Sequence, residues 1–583
     1  MTPAHDTPPR TTWTPPAGKP PLSARLMRAG WRRLPDPLHE VGLERGLAVP
    51  AADGSPLVTD HYFPRTQGDF PTLLVRSPYG RGLPWGPQYG MLFAEQGFHV
   101  VLQSCRGTGG SGGSFDLWRN EAADGRAAVA WLREQPWFDG TLGTIGPSYL
   151  GYTQWALAVE PPPELKAMVV QLGLHDPRAL FHAGGVLHLE HALLVGTAIT
   201  HQHRGTMPFL RATLRLRRLL RGLTPTAPPP DSYAVALGDA PAWLDEAIAH
   251  PDPDDAYWSG ASTAAAAAPA GVPTALITGW YDTLADQTFE QYARLRRAGG
   301  PDSSLLVGPW THASALGKGW PEVFAESLAW LRAHLCSDPS GLRPTAVRVH
   351  VGGRDTWRDL ADWPPPRTAR PWFPAPDGHL IRQAPDGGAP LASFTYDPAD
   401  PTPSVGGPLL SLGAGPRDNT ALEARGDVLT FTGPPLAEPL DVLGPVLARL
   451  SLSVDGGRAE VFTRLCDVDP RGRSTNVCDG PAAPRSDGAA PARVTAAMGH
   501  TAYRFAAGHR IRWQISAAPH PRFAPAPDPA DGPAGGVAAG PVRITVHADS
   551  ALVLPDGPPG DVVTDTPRGA VGLGSPTRGG AAR

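Results

Sequence analysis

The feature that most limits how this chain can fold is a rhythm of short, almost continuously apolar runs alternating with helical stretches. Thr72-Leu-Leu-Val-Arg76, Gly97-Phe-His-Val-Val-Leu102 and Gly143-Thr-Ile145 carry no polar alternation, and Glu121 through Leu132 between the last two repeats its apolar residues at helical spacing. A strand apolar on both faces must be covered on both faces, which in practice means a mostly parallel sheet with crossover helices packed above and below. The rhythm returns at Thr274-Ala-Leu-Ile-Thr278, passes through a helix near Thr288 to Arg297, and reaches another strand at Ser304-Leu-Leu-Val307. The expected class is therefore α/β.

At 583 residues the chain exceeds one compact core, so several units are expected. Residues 41–172 and 269–366 hold the strand–helix rhythm. Residues 173–268 break it with helix-like segments such as Leu210 to Leu220 and a Pro-rich linker at Thr224 to Pro230, and read as a helical cap inserted into the core. From 367 to 555 the texture changes to short β-rich runs, among them Val446–Val454, Arg458–Leu465 and Arg510–Ser516, separated by Gly, Pro and Asp turns. That pattern reads as a β-sandwich. Residues 1–40, rich in Pro and Arg, are expected to be a flexible segment, with Leu26, Met27 and Trp31 as the side chains that could instead pack. Residues 556–583 are expected to be a disordered tail.

Composition removes several function classes. A formal charge of -4 gives no electrostatic reason to expect nucleic acid or an anionic membrane as partner. Lysine occurs only at Lys19, Lys166 and Lys318, leaving little room for Schiff-base or phosphate-loop chemistry. Cys105, Cys336, Cys466 and Cys478 show no zinc spacing, and only a Cys466–Cys478 bridge is left open. No apolar run reaches the roughly 18 residues of a membrane span, and no leader pattern opens the chain. The reading is a soluble, cytoplasmic protein acting on a small molecule, with a homodimer left open.

The strongest local signal is Gly146-Pro-Ser148-Tyr-Leu-Gly151, directly after the strand ending at Ile145 and before a helix through Trp155. A Ser on a tight strand-to-helix turn needs small neighbours, and the helix N-terminal amides then face a developing oxyanion. The second glycine falls one residue later than in G-x-S-x-G. Two further segments sit where a triad acid and base belong in the order Ser, acid, His: Gly279-Trp-Tyr-Asp282 after one strand, and Gly308-Pro-Trp-Thr-His312 after the next. Asp286 competes with Asp282 for the acid, and a helix cap or a surface-loop histidine are the bland alternatives.

These segments, with Ser77-Pro-Tyr79-Gly-Arg81, Arg106-Gly-Thr-Gly-Gly-Ser111, Thr395-Tyr-Asp-Pro-Ala-Asp-Pro401 and Gly508-His-Arg-Ile511, make the sequence resemble the cocaine esterase and X-Pro dipeptidyl peptidase family, nearer its cocaine-esterase branch. The resemblance spans about residues 42 to 555. It implies an α/β-hydrolase core, a helical cap and a C-terminal jelly roll. It implies a serine hydrolase that cleaves an ester or amide through an acyl-enzyme on Ser148, with Asp282 orienting His312 and His312 acting as base and then acid. The oxyanion hole would join the Tyr149 backbone N–H to the Tyr79 hydroxyl, a neutral donor whose bond strengthens as charge forms. A packed turn aromatic is the plain alternative for Tyr79.

Where relatives carry an Asp before the Arg-Gly pair, this chain has Ser104 in Gln103-Ser-Cys105-Arg106, which weakens a local Asp–Arg pair. Relatives that select α-amino acyl groups carry carboxylates just after the triad acid; here Leu284 and Ala285 stand there, which argues for a neutral acyl group over an X-Pro peptide. Trp155, Trp280 and Trp310 flank the triad motifs and are candidate pocket residues, core packing being the commoner fate of a Trp. Gly107-x-Gly109-x-x-Gly112 imitates a dinucleotide fingerprint, but loop continues past Gly113 before any helix. His182, His188, His191, His201 and His203 in the cap lack a metal-protease pattern and read as solvated or hydrogen-bonded. No metal or organic cofactor is required by this chemistry.

Overall fold

The computed structural model describes residues 16–31, 33–222, 241–264, 271–299, 302–455, 459–484, 490–524, 540–557 and 564–566. Its centre is a sheet built from β1 (Val41–Pro50), β2 (Pro56–Pro64), β3 (Thr72–Ser77), β4 (His99–Ser104), β5 (Leu142–Pro147) and β6 (Leu165–Gln171). After a small hairpin, β7 (His182–Ala183) with β8 (Val186–Leu187), it is completed by β9 (Thr274–Tyr281), β10 (Ser303–Thr311), β11 (Val347–Val351) and β12 (Thr356–Leu360). The spatial order is β1-β2-β4-β3-β5-β6-β9-β10-β11-β12. Every pairing from β4 to β11 is parallel, and antiparallel strands close both edges.

The apolar runs are continuous because alternate residues serve two cores. Leu73, Val75, Val100, Leu102, Val169 and Leu306 point into one cluster, completed by Phe93, Phe324, Leu328 and the cap. Leu74, Val101, Met168, Val170, Leu305 and Val307 point into the other, against Val129, Leu132, Phe289 and Leu295 of the covering helices. Each such side chain contributes about 1.5–3 kcal/mol by leaving water, so a polar residue at either parity would be costly.

The cap between β6 and β9 holds the helices Leu189–His201, Thr206–Gly222 and Ala242–Ala249. The linker expected at Thr224 to Pro230 lies outside the described residues. The C-terminal unit is a sandwich in which the long strand Leu440–Val454 pairs with Ala492–Phe505, and Arg510–Ala517 with Val461–Val468. Its core gathers Trp372, Phe431, Leu450, Leu465, Trp513 and Ile544. The sandwich is stitched to the cap by paired backbone bonds between Leu187 and Ala524 at 3.2 and 3.0 Å. No helix of the described residues is long and apolar enough to cross a membrane.

Two expectations are corrected, and a bridge that the sequence left open is absent. The stretch expected to be a flexible N-terminal segment contains the helix Leu22–Gly30, with Ala24 and Leu34 buried and Trp31 against Trp320 at 6.4 Å. Of the three side chains named for packing, Trp31 does pack, Met27 is half-buried and Leu26 is left exposed. At the other end Asp556, expected in the tail, is buried and ion-paired to Arg370, and Thr564–Thr566 adds an antiparallel strand to β12. Cys466 and Cys478 lie on paired strands but are free thiols, like Cys105 and Cys336; their register sets Cys478 opposite Leu465 and Cys466 opposite Asn476.

Candidate active site

Ser148 stands between β5 and the helix Tyr149–Ala158, at φ 59° and ψ -125°, a conformation L-residues adopt only when the surroundings enforce it. The enforcement is visible. Ser148 N–H donates to the carbonyl oxygens of Gln171 and Leu172 at the end of β6 (2.9 and 3.1 Å), and Gly151 N–H donates to the Ser148 carbonyl at 2.8 Å. A Cβ at Gly151 would lie 2.8 Å from Gly173 Cα and 3.0 Å from Val170 Cγ1, so the displaced second glycine of the motif is the point where helix and β6 touch.

Asp282 follows β9 and His312 follows β10, which are parallel neighbours, so the two loops leave the same sheet edge. His312 Nδ1 and Asp282 Oδ1 are 2.7 Å apart, with the carboxylate fully enclosed. Thr278 Oγ1 donates to the other carboxylate oxygen at 2.8 Å. The carboxylate thus holds the ring with its proton on Nδ1, which leaves Nε2 as the basic atom. His312 opens the short helix His312–Ala315, fixed by a reciprocal cap in which Ser314 N–H donates to Thr311 Oγ1 and Thr311 N–H to Ser314 Oγ. Asp286 does not pair with His312. Its carboxyl lies against Gly499, and desolvation there, then the Asp282 charge, push it up to about 6.

The Tyr79 hydroxyl is 3.4 Å from Ser148 Oγ. Burial pushes its pKa up to about 12, while the Ser148 side chain and the Tyr149 backbone N–H pull it down, so the two expected oxyanion donors lie beside each other. Tyr79 is a protonated donor throughout the neutral range. Its ring stacks on Trp85 at 5.3 Å, and its N–H donates to Ser77 Oγ at 3.1 Å. Tyr149 is anchored from its far end: Trp118 N–H donates to the phenol oxygen at 3.0 Å, and the phenol donates to Glu121 Oε1 at 3.1 Å. Arg76 pairs with Glu121 at 3.0 Å, both side chains being buried.

Sequence reasoning missed Thr278, Ser314, Trp85 and Glu121. An acceptor four residues past a strand Thr is a usable signal for the first; the others reach the site through the fold. Two of the three candidate tryptophans, Trp155 and Trp280, are corrected, while Trp310 stays in the cluster that holds Tyr79 and Tyr149. Trp155 and Trp280 belong to the cluster on the face of the sheet away from the cap, and the Trp280 indole donates to the His350 carbonyl at 2.6 Å. Trp310 is packed among Gly279, Gly308 and Gly319. Leu284 joins the core cluster on the site's side of the sheet, as does the partly buried Leu410 of the sandwich. Gly415 of the sandwich sits so that a Cβ would be 3.5 Å from Thr311 Cγ2, beside His312.

Of the cap histidines, His182 bonds the Ala247 carbonyl (3.1 Å), His188 packs edge-on to Phe523, and His203 accepts the Gly109 N–H (3.1 Å). His191 is buried close enough to His312 and Asp282 to feel both charges. Among the described residues no three His, Cys, Asp or Glu side chains are grouped to hold a metal. The glycine-rich stretch closes on itself, Gly107 N–H donating to the Gly112 carbonyl at 2.9 Å, and the next helix starts only at Glu121. It therefore presents no helix N-terminus to a pyrophosphate. Ser104 accepts Arg81 Nη1 at 2.5 Å, and Asp60 of β2 takes Arg81 Nε at 3.2 Å, supplying the carboxylate missing from position 104.

Residues 53–314 match the model of the X-Pro dipeptidyl-peptidase S15 family, and residues 343–548 that of the X-Pro dipeptidyl-peptidase C-terminal non-catalytic domain. The chain is 31% identical over 522 residues to the cocaine esterase of a Rhodococcus species, covering 82% of this chain and 90% of that one. Among solved structures, an α-amino acid ester hydrolase superposes with a TM-score of 0.74 at 20% identity, covering 90% of this chain and 97% of the other. A CocE/NonD family hydrolase from Staphylococcus aureus superposes with a TM-score of 0.64 at 16% identity, covering 89% and 94%. With an α/β-hydrolase core, a helical cap and a jelly roll in this order, the chain belongs to the cocaine esterase and X-Pro dipeptidyl-peptidase family of serine hydrolases.

Proposed function

We propose that this serine hydrolase cleaves carboxylic esters of small molecules, with Ser148, His312 and Asp282 as its triad. Ser148 Oγ attacks the acyl carbon as its proton passes to His312 Nε2, and the carbonyl electron pair moves onto oxygen between the Tyr79 hydroxyl and the Tyr149 N–H. The tetrahedral species collapses, expelling the alcohol with the proton that His312 returns. Water then repeats the sequence on the acyl-enzyme and frees the acid.

The observation that carries this reading is the Tyr79 hydroxyl beside a strained Ser148, because preorganised donors are usually the largest contribution in acyl transfer. A neutral acyl group is favoured over an α-ammonium one, since Leu284 and Ala285 are apolar and buried just after the acid. An X-Pro peptidase is the alternative the family keeps in play. Four free thiols suit a reducing compartment, in keeping with a cytoplasmic location.

The test is turnover of short-chain and aromatic nitrophenyl esters beside an X-Pro nitroanilide, with Ser148→Ala as control. Ester turnover abolished in Ser148→Ala supports the proposal. Dominant nitroanilide turnover moves the assignment to peptidase, and activity surviving in Ser148→Ala removes the nucleophile.

A further inference from the structure

Two features with no part in the chemistry above, the loop Gly107–Gly112 and the cap histidine His203, meet the loop that carries Tyr79. A Cβ at Gly80, whose φ is +87°, would lie 3.1 Å from His203 Cα, so cap backbone and Tyr79 loop are in direct contact. On the same side Gly109 is gripped at both its N–H and its carbonyl. The N–H donates to His203 Nδ1 at 3.1 Å, and the carbonyl accepts Arg81 Nη1 at 2.9 Å, two residues beyond Tyr79. A Cβ at Gly109 would strike Ser104 Oγ at 2.3 Å, so only glycine allows this approach.

We propose that His203 is a positioning residue: its neutral ring, accepting the Gly109 N–H, latches the cap to the Tyr79 loop and holds the phenol hydroxyl at Ser148. The inference rests on Tyr79 serving as an oxyanion donor. A neutral imidazole offers one acceptor nitrogen; protonation makes both nitrogens donors, and the ring then turns an N–H toward the Gly109 N–H. The charged and titratable groups around it are His201 and Arg204 on its own segment, Arg81 beyond Gly109, and Asp116 and Glu246 across a crevice of about 440 Å³ that His203 lines. Burial, then Arg204, lower its pKa below 6.5, and the Thr200 carbonyl opposes them. With the folded value depressed, the latch is intact above pH 6.5 and is lost as pH falls through the folded value.

The experiment compares the full chain with His203→Ala and His203→Asn, whose Oδ1 can accept the Gly109 N–H but takes no proton. Two readouts are followed from about pH 5 to 8.5: the rate at which a fluorophosphonate labels Ser148, its phosphoryl oxygen probing the oxyanion hole, and hydrogen exchange of the peptides holding Gly80 and Gly109. His203→Ala is expected to label about five- to tenfold more slowly at the alkaline end and to exchange faster at both peptides. His203→Asn is expected to stay within about twofold of the unmodified chain there, and to lose one proton's steepness from the acid-side fall. Labelling and exchange unchanged in His203→Ala overturn the latch, as does His203→Asn failing as badly as His203→Ala. If the unmodified chain takes up no label while exchange still responds to His203→Ala, the contact stands and the nucleophile assignment is the one that fails.

Discussion

Removing one oxygen at Tyr79 separates the chemistry of this site from its architecture. In Tyr79→Phe the ring remains stacked on Trp85 and the backbone bond to Ser77 is untouched. In the resting enzyme the hydroxyl meets Ser148 Oγ at 3.4 Å, long for a hydroxyl pair, so folding without it should be weaker by less than about 1 kcal/mol. In the transition state the same hydroxyl faces an alkoxide in a water-poor site, where one donor is worth about 2.7–4 kcal/mol, or roughly 100- to 1000-fold in kcat. The expected result is therefore a kcat on a nitrophenyl ester lower by that factor, a KM within about threefold, and a denaturation midpoint barely moved. The Tyr149 N–H remains, so activity should stay above that of Ser148→Ala. A kcat within about threefold of the unmodified enzyme refutes the argument, because a spectator aromatic would behave that way.

Thr278→Val takes the hydroxyl donor away from Asp282 Oδ2; stability should fall by about 1.5–3 kcal/mol, measured by urea denaturation, with kcat falling alongside. Gly151→Ala drives a methyl group into Gly173 and Val170, where backbone cannot yield cheaply. It should cost about 1–3 kcal/mol in the same assay and reduce Ser148 labelling, and an unaffected variant would contradict the close approach of helix and strand. For Asp286, the folded carboxyl sits at about 6 against an ordinary value of 3.8, so folding binds protons and stability declines as pH rises from 3.8 through 6. Asp286→Asn should therefore gain thermal stability over the unmodified chain at neutral pH and lose that advantage near pH 4, as read by melting curves across this range.

Much of the fold was legible because parallel strands buried on both faces leave a continuous apolar run that few other elements imitate. The ends of the chain were not. The segment before β1 reads as Pro- and Arg-rich tail, yet its helix is held from outside: Arg28 Nε reaches Glu95 at 2.7 Å, and Trp31 finds Trp320 nearly three hundred positions away. The strand Thr564–Thr566 has no periodicity worth reading; it exists because β12 offers an unpaired edge.

The site divides along the same line. Ser148, Asp282 and His312, the proposed triad, stand out in the sequence because such groups sit at strand ends, and strand ends are what apolar runs announce. Trp280 was misjudged by proximity in sequence where strand parity was the better guide. Trp280 shares strand parity with Leu276, so both enter the cluster that also holds Phe289, on the face away from the cap. What positions the donors was invisible for a different reason. Tyr149 is fixed by Glu121, 28 residues earlier, and Tyr79 by Trp85 across a turn, contacts that exist only once β3 and β5 pair and the helix Glu121–Arg133 covers them. A motif can therefore name the reacting groups, but the precision of an oxyanion hole depends on side chains that local sequence does not single out.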